Sequence, residues 1–154
     1  MNIFYKRTNI SQFKKLLDIK SFDKEYITKL CNNGFTNWNK YINFDSKQYS
    51  KKLIHSNDIL DAYIISWCNN QESPIHNHPE KGCIMTILDG QIEESLYTTN
   101  LVHYKKNIYS KGGVSYIDNN IGYHKMKTID TCVSLHIYSP PNYKMETFPD
   151  IIKH

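Results

Sequence analysis

Two histidines separated by one residue, His76-Asn77-His78, are the first feature of this sequence whose types and spacing could do chemistry. Pro74 and Pro79 flank them, and in extended chain residues i and i+2 point the same way, so both imidazoles can reach one metal ion. The same spacing suits a pair of surface or capping histidines, and a third donor is needed to separate the two readings. His124 is the candidate: it follows Ile121-Gly122-Tyr123 at the start of a later strand, where a sandwich returns its chain across the first sheet. Three neutral imidazoles would leave about three positions open on a six-coordinate ion, enough for a substrate and dioxygen together. A closed structural zinc site would want a fourth ligand, usually a thiolate, and none is evident.

A second cluster is Ser134-Leu135-His136-Ile137-Tyr138. Strand alternation puts Ser134, His136 and Tyr138 on one face. If that face looks at the metal, the imidazole can orient the phenol, and the phenol can donate to a bound oxygen or sulfur atom. A half-exposed strand with a polar outer face has the same pattern. Ser139-Pro140-Pro141 ends the strand, and one of its X-Pro bonds is a candidate for the cis form.

The elements that must position these residues fall into two parts. The first third is helical in pattern, with Phe13, Leu16 and Leu17 spaced for one face, then Asp23 as N-cap before Tyr26, Ile27, Leu30 and Cys31, and Gly34 as the stop. Beyond Tyr49 come short apolar or alternating runs that read as strands: 59–67, 83–88, 91–97, 114–117 and 132–138. Asp89-Gly90 between two of them is a strong hairpin signal, because a type I′ turn needs positive φ at both central residues. Gly112-Gly113 and Asn119-Asn120 mark further turns. The expected fold is mainly β, an antiparallel sandwich or barrel with the jelly roll among its candidates, preceded by short helices.

With 154 residues, 40% of them hydrophobic, the chain suits one core and is not disordered in composition. The expected organisation is a single domain over 1–154, with 1–45 as helical lead-in and 49–141 as the β-core that carries the metal site. No apolar run approaches the roughly 20 residues of a membrane helix, and Met1 to Arg7 lacks the apolar stretch of an export signal. A cytoplasmic protein with no membrane partner is the expectation. Cys31, Cys68, Cys83 and Cys132 show no C-x-x-C spacing, so neither a disulfide scaffold nor a zinc ribbon is indicated. The +4 net charge comes as scattered lysine doublets interrupted by acids and tyrosines, which argues against nucleic-acid binding.

Taken in order, Ser73-Pro74-Ile75-His76-Asn77-His78, Cys83 seven positions after the first histidine, the stretch Ser115 to His124, and Val133-Ser134-Leu135-His136-Ile137-Tyr138-Ser139-Pro140-Pro141 resemble the cysteine dioxygenase family. The resemblance runs from about Tyr49 to Pro141. It implies a cupin with Fe(2+) held by His76, His78 and His124, and a thioether joining Cys83 to the Tyr138 ring. It implies oxidation of free L-cysteine by dioxygen to cysteine sulfinate, a step in cysteine catabolism, with Tyr138 steadied by His136 and Ser134. A monomer is expected. Cys31, Cys68 and Cys132 have no counterpart in the pattern and read as core or surface residues.

One position departs from it. Where the family carries an arginine two residues after a tyrosine, this chain has Tyr49-Ser50-Lys51, so Lys51, with Lys52 as the alternative, stands at the carboxylate-binding position. An ammonium pairs with a carboxylate as a point charge and lacks the planar two-pronged fork. That admits a related thiol, such as a mercapto-acid or an amino-terminal cysteine, as substrate. Tyr49 and Trp67 belong with this substrate region, Trp67 fitting core or pocket wall equally. The other class open to these residues is a metal-binding cupin without oxygen chemistry, for which Ser134, His136 and Tyr138 would have no required role.

Overall fold

The computed structural model describes residues 7–150; residues 1–6, read above for an export signal, lie outside that range, as do 151–154. After β1 (Thr8–Asn9) come α1 (Ile10–Leu16) and α2 (Lys24–Asn32), then β2 (Phe35–Thr36), parallel to β1. Asn9 caps α1 by accepting from the Ser11 N–H. Asp23 caps α2 by accepting from the Tyr26 N–H, as its position predicts. Gly34 follows the end of α2 with φ +69°, a left-handed turn that glycine adopts without strain. The buried face of α1 is Ile10 and Phe13, continued by Leu17, whereas Leu16 is exposed, so the expected Phe13, Leu16, Leu17 face is corrected by one position.

The remaining strands are β3 (Ser50–Ser56), β4 (Asp61–Trp67), β5 (Ile75–His76), β6 (Gly82–Tyr97), β7 (His103–Ser110), β8 (Val114–Ile117), β9 (Tyr123–Ser139) and β10 (Thr147–Phe148). The long strands β6 and β9 pair with each other antiparallel along almost their whole length, and each changes its other neighbour halfway. The first half of β6 lies between β8 and the second half of β9, with β4 and then β3 beyond. The second half of β6 lies between β7 and the first half of β9, with β5 and then β10 beyond. This gives a helix-side sheet and a histidine-side sheet, joined where β6 and β9 bend from one into the other.

The bend corrects one expectation. Asp89-Gly90 is no hairpin turn: β6 continues through it without reversing, with bulges between Ile87 and Asp89 and between Gly90 and Ile92. Gly90 does take positive φ (+81°), and a Cβ there would stand 2.0 Å from the Thr131 carbonyl oxygen of β9. The glycine serves close approach of two bent strands, not a reversal.

The helix-side sheet is buried on both faces. Ala62, Ile64, Ile84, Leu88, Val133, Leu135 and Ile137 pack outward against Ile10, Phe13, Leu17, Ile27 and Cys31 of the helical lead-in. Their alternates face the histidine-side sheet: Ile65, Trp67, Met85, Ile87 and Cys132 form one inner cluster with Ile92 and Met126, and Cys83 and Tyr138 form another with Leu96 and Ile117. Full burial of each such Ile or Leu side chain contributes about 1.5–3 kcal/mol, so the helices seal one face while the other is free to hold chemistry. No helix among the described residues is long and apolar enough to cross a membrane.

Candidate metal centre

His76 ends β5 and stands directly opposite His124 of β9 in the ladder; His78 follows two residues after His76. A reciprocal pair of bonds pins the His78 backbone: its N–H donates to Asn119 Oδ1 at 2.8 Å, and Asn119 Nδ2 donates to its carbonyl at 2.9 Å. Asn119 is itself set by a turn in which Asp118 Oδ1 accepts from the Asn120 and Ile121 N–H groups. Gly122 closes that turn at φ +138°, where a Cβ would meet the Tyr97 carbonyl oxygen at 2.2 Å. The three imidazoles are buried, and one ring nitrogen from each lies within 4.8 Å of the others.

In two of the rings hydrogen bonds fix which nitrogen is free. His76 donates Nδ1–H to the Pro74 carbonyl at 2.9 Å, and His124 donates Nδ1–H to Glu94 Oε1 at 2.8 Å. Both Nε2 atoms are then unprotonated, and they face each other at 3.0 Å. Two lone pairs opposed at that distance in a buried place call for a cation between them. The ring nitrogens of His78, also buried, have no hydrogen-bond partner among the described residues, an arrangement that costs free energy unless a ligand completes it. Burial, with His124 beside it, pushes the His76 pKa down to about 3, and burial likewise depresses that of His78. His76 and His78 are thus neutral, and with His124 they make a three-nitrogen donor group, which fits a divalent ion with positions left open.

Glu94, which the motif reading missed, supports this group. It is buried, and besides His124 it accepts from Asn107 Nδ2 and Tyr109 OH, each at 3.1 Å. Burial works to raise its pKa, but the hydrogen bonds from His124, Asn107 and Tyr109 outweigh it and hold the carboxyl below 4.5. The signal was present in the alternation of 91–97, where Glu94 shares the inward register of Ile92 and Leu96.

Across the cavity, on the helix-side sheet, the Ser134, His136, Tyr138 face points inward. Trp67 donates Nε1–H to Ser134 Oγ at 3.0 Å, and Ser134 Oγ lies 2.8 Å from His136 Nε2. The buried serine hydroxyl has one acceptor in reach, so it donates to Nε2, and the neutral ring carries its proton on Nδ1. That Nδ1 faces Tyr138 OH at 3.5 Å and Cys83 Sγ at 3.9 Å. Burial, and after it Lys51, holds the His136 pKa well below 6.5. Burial raises the Tyr138 phenol, and it pushes the Cys83 thiol up to about 12 against the pull of Lys51. Cys83 and Tyr138 are direct partners across the β6–β9 ladder.

Lys51 reaches the same cavity. Its Nζ sits 5.0 Å from the centre of the Tyr138 ring and 4.7 Å from that of Tyr63, and burial lowers its pKa. The residue as a whole is solvent-exposed, so it stands at the rim of the cavity. Lys52, one residue on, leaves the strand on the opposite side. Tyr49 stacks on Trp67 with ring centres 4.4 Å apart, so Trp67 is both core and cavity wall. Met145, after β9, completes the lining. Cys31 and Cys132 are buried in the core clusters, and Cys68 is half-buried.

A family model described as cysteine dioxygenase type I matches residues 6–150. Among curated proteins, cysteine dioxygenase type 1 of Danio rerio is 27% identical over 128 residues, covering 76% of this chain and 64% of that protein. The Homo sapiens cysteine dioxygenase type 1 is 29% identical over 116 residues, covering 69% and 58%. The chain therefore aligns with less than two thirds of the length of either relative. Among solved structures, a double-stranded β-helix protein from Klebsiella pneumoniae superposes with TM-score 0.61 at 13% identity, over 71% of this chain and 86% of that one. A cupin superfamily protein from Desulfitobacterium hafniense gives 0.58 at 12% identity, over 68% and 88%. These two likenesses establish the cupin fold.

Proposed function

The chain belongs to the cysteine dioxygenase type I family, and from that premise we propose that it is an iron(II)-dependent thiol dioxygenase that converts free L-cysteine to cysteine sulfinate. The observation that carries the reading is the pair of opposed Nε2 lone pairs of His76 and His124 in a cavity shared with Tyr138, with His78, whose ring nitrogens have no partner among the described residues, beside them. Ferrous ion, held by these three rings, would supply open positions for thiolate and dioxygen and couple a triplet oxidant to a closed-shell sulfur. In the net reaction both oxygen atoms of dioxygen end on sulfur, R–SH + O2 giving R–SO2H.

The chain's own residues provide position and protons. Lys51 holds the substrate carboxylate as a point charge at the cavity rim. Ser134 fixes the His136 tautomer, so that Nδ1–H is offered to the phenol oxygen and the Tyr138 O–H is left to donate into the cavity. Glu94 keeps the His124 Nδ1–H engaged and its Nε2 free. Cys83, opposite Tyr138, is the partner for a thioether. Its formation breaks one S–H and one ring C–H bond and makes one S–C bond, the two hydrogens and their electrons passing to dioxygen. The depressed His136 and raised Tyr138 values support neutral groups here at physiological pH.

The test is anaerobic loading with ferrous salt, addition of cysteine and air, and identification of the sulfur product. Cysteine sulfinate with matching oxygen uptake is expected. An iron-loaded protein that oxidises no thiol would refute the reading and favour a non-oxidative metal-binding cupin. Lysine in place of arginine at position 51 supports a second reading, a related thiol as substrate. A panel of small thiols separates the two: faster turnover of thiols without a carboxylate would displace free cysteine.

A further inference from the structure

Neither the motifs nor the chemistry above uses Tyr143, yet it contacts both Tyr138 and Asn77. It follows a turn anchored by the Asn142 N–H, which donates to the buried Asp61 carboxylate at 2.8 Å. Asp61 is in turn the partner of Tyr138 in the β4–β9 ladder. From this turn the Tyr143 ring lies nearly parallel to that of Tyr138, with centres 5.5 Å apart and planes at 22°.

The other end of Tyr143 is tied to the histidine pair. Its hydroxyl donates to Asn77, whose Oδ1 is 2.7 Å away and whose carbonyl is also in contact. Asn77 is the residue between His76 and His78. It is held in place by the same segment of chain: its Oδ1 accepts from the Glu146 N–H at 3.0 Å, and its own N–H donates to the Glu146 carbonyl at 3.1 Å. Tyr138 is therefore boxed, with Tyr143 on one face, Tyr63 against an edge at 5.9 Å and 76°, and Cys83 on the adjoining strand. Stacked rings slide easily over one another, so a stack alone does not fix a phenol in its own plane; a stack whose outer ring is hydrogen-bonded to a residue itself held by backbone bonds, as Asn77 is by Glu146, does.

We propose that Tyr143 is a positioning residue for Tyr138: by stacking on it while bonded to Asn77, it sets the phenol in register with His76 and His78 and presents the ring to Cys83. This rests on the dioxygenase reading for its consequence in turnover, and on geometry alone for the clamp itself. Two variants test it. Tyr143→Leu removes stack and tether, whereas Tyr143→Phe keeps the stack and frees it from Asn77.

Both variants are expected to lower kcat for cysteine, by about tenfold in the leucine variant, with KM and bound iron near wild type. Intact-mass analysis should show a smaller fraction of chains lacking two hydrogens. Ring-labelled tyrosine NMR on protein produced without iron, where no crosslink forms, reads the clamp independently of turnover: the Tyr138 ring should flip at least about tenfold faster in both variants. Wild-type kcat, crosslinked fraction and flip rate in the phenylalanine variant would overturn the proposal, even if the leucine variant failed to fold. So would a fall in kcat that merely tracks lost iron. A wild-type chain that oxidises no thiol would refute the dioxygenase reading, and the flip rates would still decide for or against Tyr143.

Discussion

Along the second half of β9, alternate side chains share a backbone, a ladder and nearly the same burial, since Val133, Leu135 and Ile137 are 0–2% exposed and Ser134, His136 and Tyr138 are 0–6%. On one side the apolar three press against α1 and α2. On the other the polar three form a hydrogen-bonded row running from Trp67 toward the cavity. Burial alone does not separate the two faces. What separates them is that the polar row can be satisfied only by groups brought from other strands, so it requires one particular arrangement, while the apolar row requires only a filled volume.

That contrast is open to attack from both sides. The largest expected effect lies on the polar side: Tyr138→Phe should cut kcat by about 10²- to 10⁴-fold while the melting temperature stays within a few degrees, and a variant of near-normal turnover would remove the phenol from the chemistry. On the apolar side Leu135→Ala should cost about 2–5 kcal/mol of stability in denaturant titration, with turnover per folded molecule kept; selective loss of turnover would mean that the two faces are not independent. Glu94→Gln carries the contrast to the opposite sheet, and metal competition titrations should show about 10- to 100-fold weaker binding. The smallest effect is acid sensitivity of metal-free protein. His76 and His136 have folded pKa values below the ordinary 6.5, so the unfolded chain binds more protons below that pH. Their contribution is intact above pH 6.5 and is lost as pH falls, by about 1 kcal/mol per group between 6.5 and 5.5. Urea titrations across that range should show this slope, and His136→Leu should flatten it.

Much of this was legible because it is periodic or local. The H-x-H pair, the alternation 134–138 and the caps Asp23 and Gly34 depend on near neighbours, and strand periodicity alone placed the two faces of β9. Asp89-Gly90 misled because positive φ at glycine serves a bulge as well as a turn, and only the partner strand, with residues 129–131 looped out opposite it, decides between them. β7 escaped notice because its residues are mostly exposed and polar, so it has no apolar alternation. Glu94 and Tyr143 escaped because their partners lie 30 and 66 residues away. That Lys51 and not Lys52 faces the cavity depends on the orientation of β3, which a run of two lysines does not reveal.

The ladder between β5 and β9 also bears on the order in which the molecule comes into being. His76 and His78 leave the ribosome well before His124, 48 residues after His76, and β9 is needed by both sheets. A nascent chain thus carries two histidines and a strand edge without a partner until β9 has been made, and contacts of such long range close slowly. Capture of an ion by all three rings must wait until β9 has emerged and paired with β5.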